Sequence, residues 1–200
     1  MHATATRPIL ATTSELDPRN VIDAIQIVAG CFSSQDCKDD IANVYTNYAN
    51  GIKHMASFGQ EVELLRYEAV SLDQRVIGAG GIYREVGGPA HVVWLGWLGI
   101  EPSFQGRGIG SDLLKRLFAI AESFDAREIK VYTPAHLTEY TRCRAVYKHL
   151  GFQHRMEEDF TCSVEGEDVV EHMLVKSLVP PLSLDLSRHS FQPSLTQETK

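Results

Sequence analysis

Apolar and polar residues alternate along this chain in two different rhythms, and the change of rhythm marks its organisation. From Val21 to Phe32, Val21, Ile22, Ile25, Val28 and Ala29 recur at helical spacing, after a turn at Asp17-Pro18. A second helical pattern runs from about Asp39 to Ala56, with Ile41, Val44, Tyr45 and Tyr48 on one face. Beyond Gly59 the period shortens. "EVELLRYEAV", "RVIGAGGIY" and "HVVWLGWLGI" are rich in β-formers and separated by turn-like "SLDQ" and "REVGGPA", which predicts a three-strand meander. On a regular strand Trp94 and Trp97 fall on opposite faces.

The helical rhythm returns in "IGSDLLKRLFAIAESF", where Ile109, Leu113, Leu117 and Ile120 form a stripe joined by Leu114, Phe118 and Ala121. "REIKVYTP" reads as a strand stopped at Pro134. "TEYTRCRAVYKHLG" reads as a helix with Thr138 as N-cap and Gly151 at its C-terminal end. "FQHRMEEDFTC" and "EDVVEHMLVKSL" read as a closing strand pair around a loop near Gly166, and periodicity is lost from Pro180. The fold class expected is α+β, with mixed strand directions. The expected organisation is an N-terminal segment at 1–19, one domain at 20–178 and a flexible tail at 179–200.

Composition narrows the partners. The 200 residues are 44% apolar, enough for a substantial core, and carry a formal charge of −7. That acidity argues against a broad grip on nucleic acid or an anionic membrane. Cys31, Cys37, Cys143 and Cys162 lack CxxC spacing, so they read as free thiols rather than a zinc site or a disulfide framework. No apolar run approaches membrane-spanning length, and a cytoplasmic location is expected.

The candidate chemistry begins at "IEPSFQGRGIGSDLL". A strand feeding a glycine-rich turn and a helix N-terminus gathers unpaired backbone N–H groups and the positive end of the helix dipole, an arrangement that binds anions. Glycines at 106, 108 and 110 clear side chains from the backbone, and Arg107 adds charge. A Walker loop would end in Gly-Lys-Ser/Thr, and the helix here opens "GSD" without lysine. A dinucleotide fingerprint has GxGxxG near the start of a βαβ unit, against GxGxG after a meander here. The third alternative is a grip on the pyrophosphate of coenzyme A.

"QGRGIG", residues 105 to 110, matches the Q/R-x-x-G-x-G/A motif of the GNAT superfamily of N-acyltransferases, and "AVYKHLGF", residues 145 to 152, resembles that family's second landmark. The resemblance spans roughly Glu61 to Lys176, an acyl-CoA-binding core at 61–176 preceded by acceptor-side helices at 20–58. It implies a mixed, mostly antiparallel sheet flanked by helices, whose splayed strands form the acyl-CoA cleft. It also implies direct attack of an amine on acetyl-CoA, the acyl donor.

Carried over residue by residue, the resemblance implies that Leu98, Gly99 and Ile100 pair with the pantetheine arm and that Gln105, Gly106, Arg107, Gly108, Ile109, Gly110 and Ser111 cradle the pyrophosphate. Tyr147 matches the tyrosine that protonates the leaving thiolate. Tyr140 stands where the family often has an asparagine on the pantetheine. The strand carboxylate that serves many members as base is replaced by Trp94, so His91, His136 and Glu139 remain as candidate bases. Trp94 and Tyr45, with Tyr48, are candidate walls of the acceptor pocket. Asp36, Asp39 and Asp40 could meet a cationic amine, although acidic residues also suit a helix start. The acceptor expected is a small-molecule or peptide amine, and the protein a monomer or homodimer. A non-catalytic acyl-CoA-binding or sensing module on the same fold is the alternative.

Overall fold

The computed structural model describes residues 11–57, 59–134, 141–164 and 167–178. In chain order these form β1 (Thr12–Glu15), α1 (Val21–Ala29), α2 (Gln35–Ala49), β2 (His54–Ser57), β3 (Gln60–Leu72), β4 (Arg75–Glu85), β5 (Val92–Leu95) and β6 (Gly99–Ile100). They continue as α3 (Ile109–Ser123), β7 (Glu128–Pro134), α4 (Thr141–His149), β8 (Gln153–His154), β9 (Phe160–Val164) and β10 (Glu167–Ser177). The strands form one sheet in the order β1-β3-β4-β5-β7-β10-β8, with β2 beside β3, β6 beside β4 and β9 beside β10. The β5–β7 pairing is parallel, and the other described pairings are antiparallel. This is the α+β architecture expected.

Helices cover both faces because each carries one apolar stripe. Leu113, Leu114, Leu117, Phe118 and Ala121 of α3 bury against Val93, Leu95, Ile129 and Val131, and Tyr147 and Leu150 join the same cluster. On the opposite face Ala24 and Val28 of α1 and Ile41, Val44, Tyr45 and Tyr48 of α2 pack against Val62, Leu64, Tyr67, Val76 and Ala79. Among the described residues, no helix is long and apolar enough to cross a membrane.

Four stretches depart from the sequence expectation, one being "FQHRMEEDFTC", which a 3-10 turn at Met156–Glu158 splits into β8 and β9 instead of leaving a single strand. Residues 12–15, expected in a polar N-terminal segment, form an edge strand on β3, secured by Leu16, which is buried just beyond it. Helix α2 starts earlier, where the Ser34 hydroxyl accepts from the Cys37 amide, and ends at Ala49 because Gly51 takes a left-handed φ. Residues 54–57 become β2 instead. Thr138 and the tail from 179 lie outside the described residues.

Helix α3 is also anchored electrostatically. Glu68 on β3 has a fully buried side chain, and its two oxygens accept from Arg66 Nε and Arg116 Nε, each at 2.7 Å. Removing one partner strips a charge-assisted bond from a carboxylate that cannot reach water. Arg116→Ala should therefore cost about 2 kcal/mol, read as a lower denaturant midpoint at unchanged m-value.

Candidate active site

The glycine loop, expected from the sequence to hold an anion, is a turn between β6 and α3. A 3-10 turn at Pro102–Phe104 leads to Gly106 (φ 74°) and Gly108 (φ 85°), both in the left-handed region that favours glycine. Gly108 caps α3 without a side chain, and the Asp112 amide is the first to bond back, to the Gly108 carbonyl at 3.0 Å. The N–H groups of Ile109, Gly110 and Ser111 therefore lie at the open, positive end of the helix. A Cβ added at Gly106 or Gly108 would meet nothing within 4 Å, so the glycines border open space rather than a packed contact. Gln105 fixes the loop by donating from Nε2 to the Ile100 carbonyl at 2.8 Å. Arg107 lies outside, bonded to the Ser103 carbonyl at 3.0 Å with its guanidinium 5.4 Å from the Phe104 ring centre. The Ile109 side chain is buried in the core, which leaves only its backbone at the mouth of the turn.

Beside the loop the sheet opens. The parallel β5–β7 register runs Val92–Glu128, Val93–Ile129, Trp94–Lys130 and then stops. On the other side of β5, Leu95 pairs with Ile82 and Gly99 with Ala79, so four steps along one strand span three along its neighbour. That extra residue is a bulge, and it turns β6 toward β4 and away from β7. Among the described residues, the stretch from Leu98 to Ile100 and that from Val131 to Pro134 share no strand pairing across the wedge between them. Such facing backbone edges can receive an extended chain with amide groups. Thr133, 2% exposed in the wedge strand, has an Oγ1 without a hydrogen-bond partner among the described residues.

The bulge corrects one expectation. Trp97 packs with Phe32 at 4.9 Å on the α1/α2 side, and Tyr83 contacts both Trp94 and the Trp97 cluster, so the two tryptophans share a face. Strict alternation places them apart only on an unbroken strand. Trp94 is 5% exposed and stacked on Tyr132 at 4.6 Å, with Tyr83 beyond, so it forms a floor under this side of the wedge rather than an open wall.

Tyr45 is corrected as well. It is fully buried, packed edge-on against Tyr67, and its hydroxyl donates to the Trp97 carbonyl at 2.8 Å. A carbonyl turned out of the ladder by the bulge needs such a partner, so Tyr45 braces the strand break instead of facing an acceptor. Tyr48 is likewise buried and donates to Glu15 Oε1 at 2.7 Å. Asp40 accepts from Trp97 Nε1 at 2.7 Å and from Ser57, while Asp39 accepts from Gln35 Nε2 at 2.7 Å. Burial raises the Asp40 carboxyl, partly offset by those hydrogen bonds.

Tyr147 on α4 is half-buried on the α3 side, 5.2 Å from the Phe152 ring centre. Burial pushes its phenol well above the ordinary value, so it stays protonated and keeps a proton to donate. Cys143, one turn earlier, is exposed as a residue, and desolvation raises its thiol; it lacks the thiolate character of a nucleophile. His91 sits at the start of β5, the end remote from the wedge, where its carbonyl accepts from the Arg127 and Glu128 amides. Of the remaining candidates, His136, Glu139 and Tyr140 lie outside the described residues.

One acidic group at the wedge went unnoticed in the sequence. Glu171 of β10 lies opposite Pro134 of β7, and burial raises its carboxyl to about 7. Its Oε2 is buried and has no hydrogen-bond partner among the described residues. The signal was present: Val169, Met173 and Val175 are buried at alternate positions of the same strand, and Glu171 interrupts that apolar row.

The fold, unlike the details of the site, has counterparts among known proteins. Residues 36–152 match the model of the acetyltransferase (GNAT) family. The chain belongs to that family. No curated protein matches it. Among solved structures, a GNAT-family acetyltransferase from Staphylococcus aureus Mu50 superposes with a TM-score of 0.62 at 15% identity, over 85% of this chain and 100% of that one. A Salmonella typhimurium protein solved with its cofactor acetyl-CoA gives 0.63 at 14%, over 88% and 99%. The ribosomal-protein-S18-alanine N-acetyltransferase of Escherichia coli gives 0.60 at 13%, over 88% and 99%.

Proposed function

We propose that this protein transfers an acetyl group from acetyl-CoA to a primary amine by direct attack. The observation that carries the reading is the bare, left-handed Gly106–Gly108 turn, uncapped by any side chain, opening beside a wedge between β5–β6 and β7. Bound acetyl-CoA supplies an activated acyl thioester. The amides of Gly106 to Ser111 hold its pyrophosphate, with Arg107 free to swing in as a further charge. Gln105 keeps the loop closed on Ile100. The backbone edge from Leu98 to Ile100 pairs with the pantetheine amides, and an N–H near the bulge polarises the thioester carbonyl. Tyr147 donates a proton to the departing thiolate. The family membership and a solved relative holding acetyl-CoA support the donor.

The acceptor class is argued from charge. Glu158 is neutralised by Lys130 and Arg155, which leaves Glu85 and the unpaired Glu171 as the acidic groups acting on Tyr132, and of these Glu171 favours a cationic amine over an anionic acceptor. One observation favours a second reading, a non-catalytic acyl-CoA-binding module: Trp94 occupies the strand position where a carboxylate base serves many family members. Thiol release from acetyl-CoA with a panel of amines separates the two.

Acetyl-CoA binding is testable first. A ligand at about 100 times its dissociation constant stabilises the folded state by about 2.7 kcal/mol. Acetyl-CoA should therefore raise the melting temperature measurably, and free acetate should not. An unchanged melting temperature would remove the basis of both readings.

A further inference from the structure

We infer that Glu171 is the proton acceptor for the attacking amine, receiving the ammonium proton on Oε2 from the α1/α2 side of the sheet. The inference rests on the N-acyltransferase reading and adds to it the base that Trp94 displaces from the central strand.

The placement follows from register. Strand β10 runs beside β7 along the whole wedge strand, with Tyr132 opposite Met173 and Pro134 opposite Glu171. Met173 and Val175 bury in the cluster of Trp94, Tyr83 and Tyr132, so Glu171, at the same parity, points to the α1/α2 face. It stands at the end of β7 where the pairing with β5 has already been lost. The opposite rim is Trp97, held by Asp40 of α2, with Phe32 against it. Cys37, in the first turn of α2, is near enough to Glu171 for the carboxylate charge to raise its thiol.

The surroundings suit a base. Around Glu171 stand Cys37 from α2, Tyr132 from β7 and Cys162 from β9, all held protonated chiefly by their own burial. Among the described residues no cation pairs with Glu171, and Oε2 has no donor of its own. A carboxylate with a salt bridge would be a weak base; this one is kept near neutrality by desolvation alone. An ammonium arriving at Oε2 satisfies the orphaned oxygen and finds an acceptor matched to physiological pH.

Atoms and protons balance. The ammonium gives one proton to Glu171, and the freed lone pair forms the N–C bond to the acyl carbon. The C–S bond breaks, and the thiolate takes a proton from Tyr147. The second proton lost from nitrogen on amide formation returns to the Tyr147 oxygen through solvent, and Glu171 releases its own to water.

Glu171→Gln keeps the shape and removes the base. With acetyl-CoA and 2-phenylethylamine, spermidine or a peptide with a free alanine N-terminus as probes, wild-type kcat/KM should rise with pH through about 7. In Glu171→Gln that inflection should vanish, with kcat/KM at pH 7 lower by about 10²-fold and acetyl-CoA binding unchanged. At high pH, where free amine is abundant, the gap should narrow. Folding is checked independently. A carboxyl raised by burial favours the fold while protonated and loses that contribution as pH rises through about 7. The variant should thus melt higher than wild type at pH 8. An unchanged inflection in an active Glu171→Gln enzyme would overturn the role of Glu171 alone. Wild-type protein that binds acetyl-CoA but turns over none of the probes would overturn the transferase reading and this role with it.

Discussion

Tyr147→Phe should lower kcat by about 10²- to 10³-fold, the usual worth of a positioned proton donor, while leaving acetyl-CoA affinity unchanged. The ring would keep its packing on Phe152 and the α3-side core, so the fold has little reason to respond. What disappears is one hydroxyl. Its phenol is pushed up by burial, so the proton is present at every pH the assay can use but is held more tightly than a free phenol's, and only a thiolate formed within hydrogen-bond reach draws it off. Without that donor the thiolate must take its proton from solvent, so the loss falls on the step that breaks the C–S bond. The corresponding barrier increase is about 2.7 to 4 kcal/mol. Parallel measurement of melting temperature with and without acetyl-CoA separates this outcome from a binding defect. A variant with wild-type kcat would show that the thiolate is protonated from elsewhere, and Tyr147 would revert to a core aromatic beside Phe152.

The parts of this site written in local spacing were legible in the sequence, and the parts made by a departure from spacing were not. The glycine turn, the stripe of α3 and the Ala145-to-Phe152 segment are short-range patterns, and the structure builds the turn and α3 where they were expected. The bulge between Leu95 and Gly99 is different. A single additional residue reverses which side chains share a face, so alternation separated Trp94 from Trp97 although both lie on the face that carries Tyr83. Tyr45 was misread for a related reason. Its helical position is apolar in pattern, which fits burial, but the carbonyl its hydroxyl satisfies exists only because the distant strand breaks. Glu171 lies outside both motifs, and its meaning depends on register with β7, a long-range fact. An acid within a buried alternating row was the only local hint.

Gly108→Val tests the other half of the reaction and should be the more damaging change to donor binding. At a φ of 85° a β-branched residue is a strained outlier, at a cost of about 1 to 3 kcal/mol. Relaxing that strain would rotate the N-cap of α3 and misdirect the amides of Ile109, Gly110 and Ser111. The added side chain also enters space that is open now, where a phosphate oxygen would sit. Both effects act on the same ligand. The dissociation constant for acetyl-CoA should rise at least about 10²-fold, since misplacing two or three charge-assisted hydrogen bonds forfeits several kcal/mol. Desulfo-CoA keeps the pyrophosphate and should lose affinity by a similar factor, whereas pantetheine, which lacks it, should bind Gly108→Val and wild type alike. Equal loss for pantetheine would mean that the variant had closed the wedge rather than the cradle. Tight binding of acetyl-CoA to Gly108→Val would show that the glycine turn is a strand-to-helix connection and that the pyrophosphate is held elsewhere.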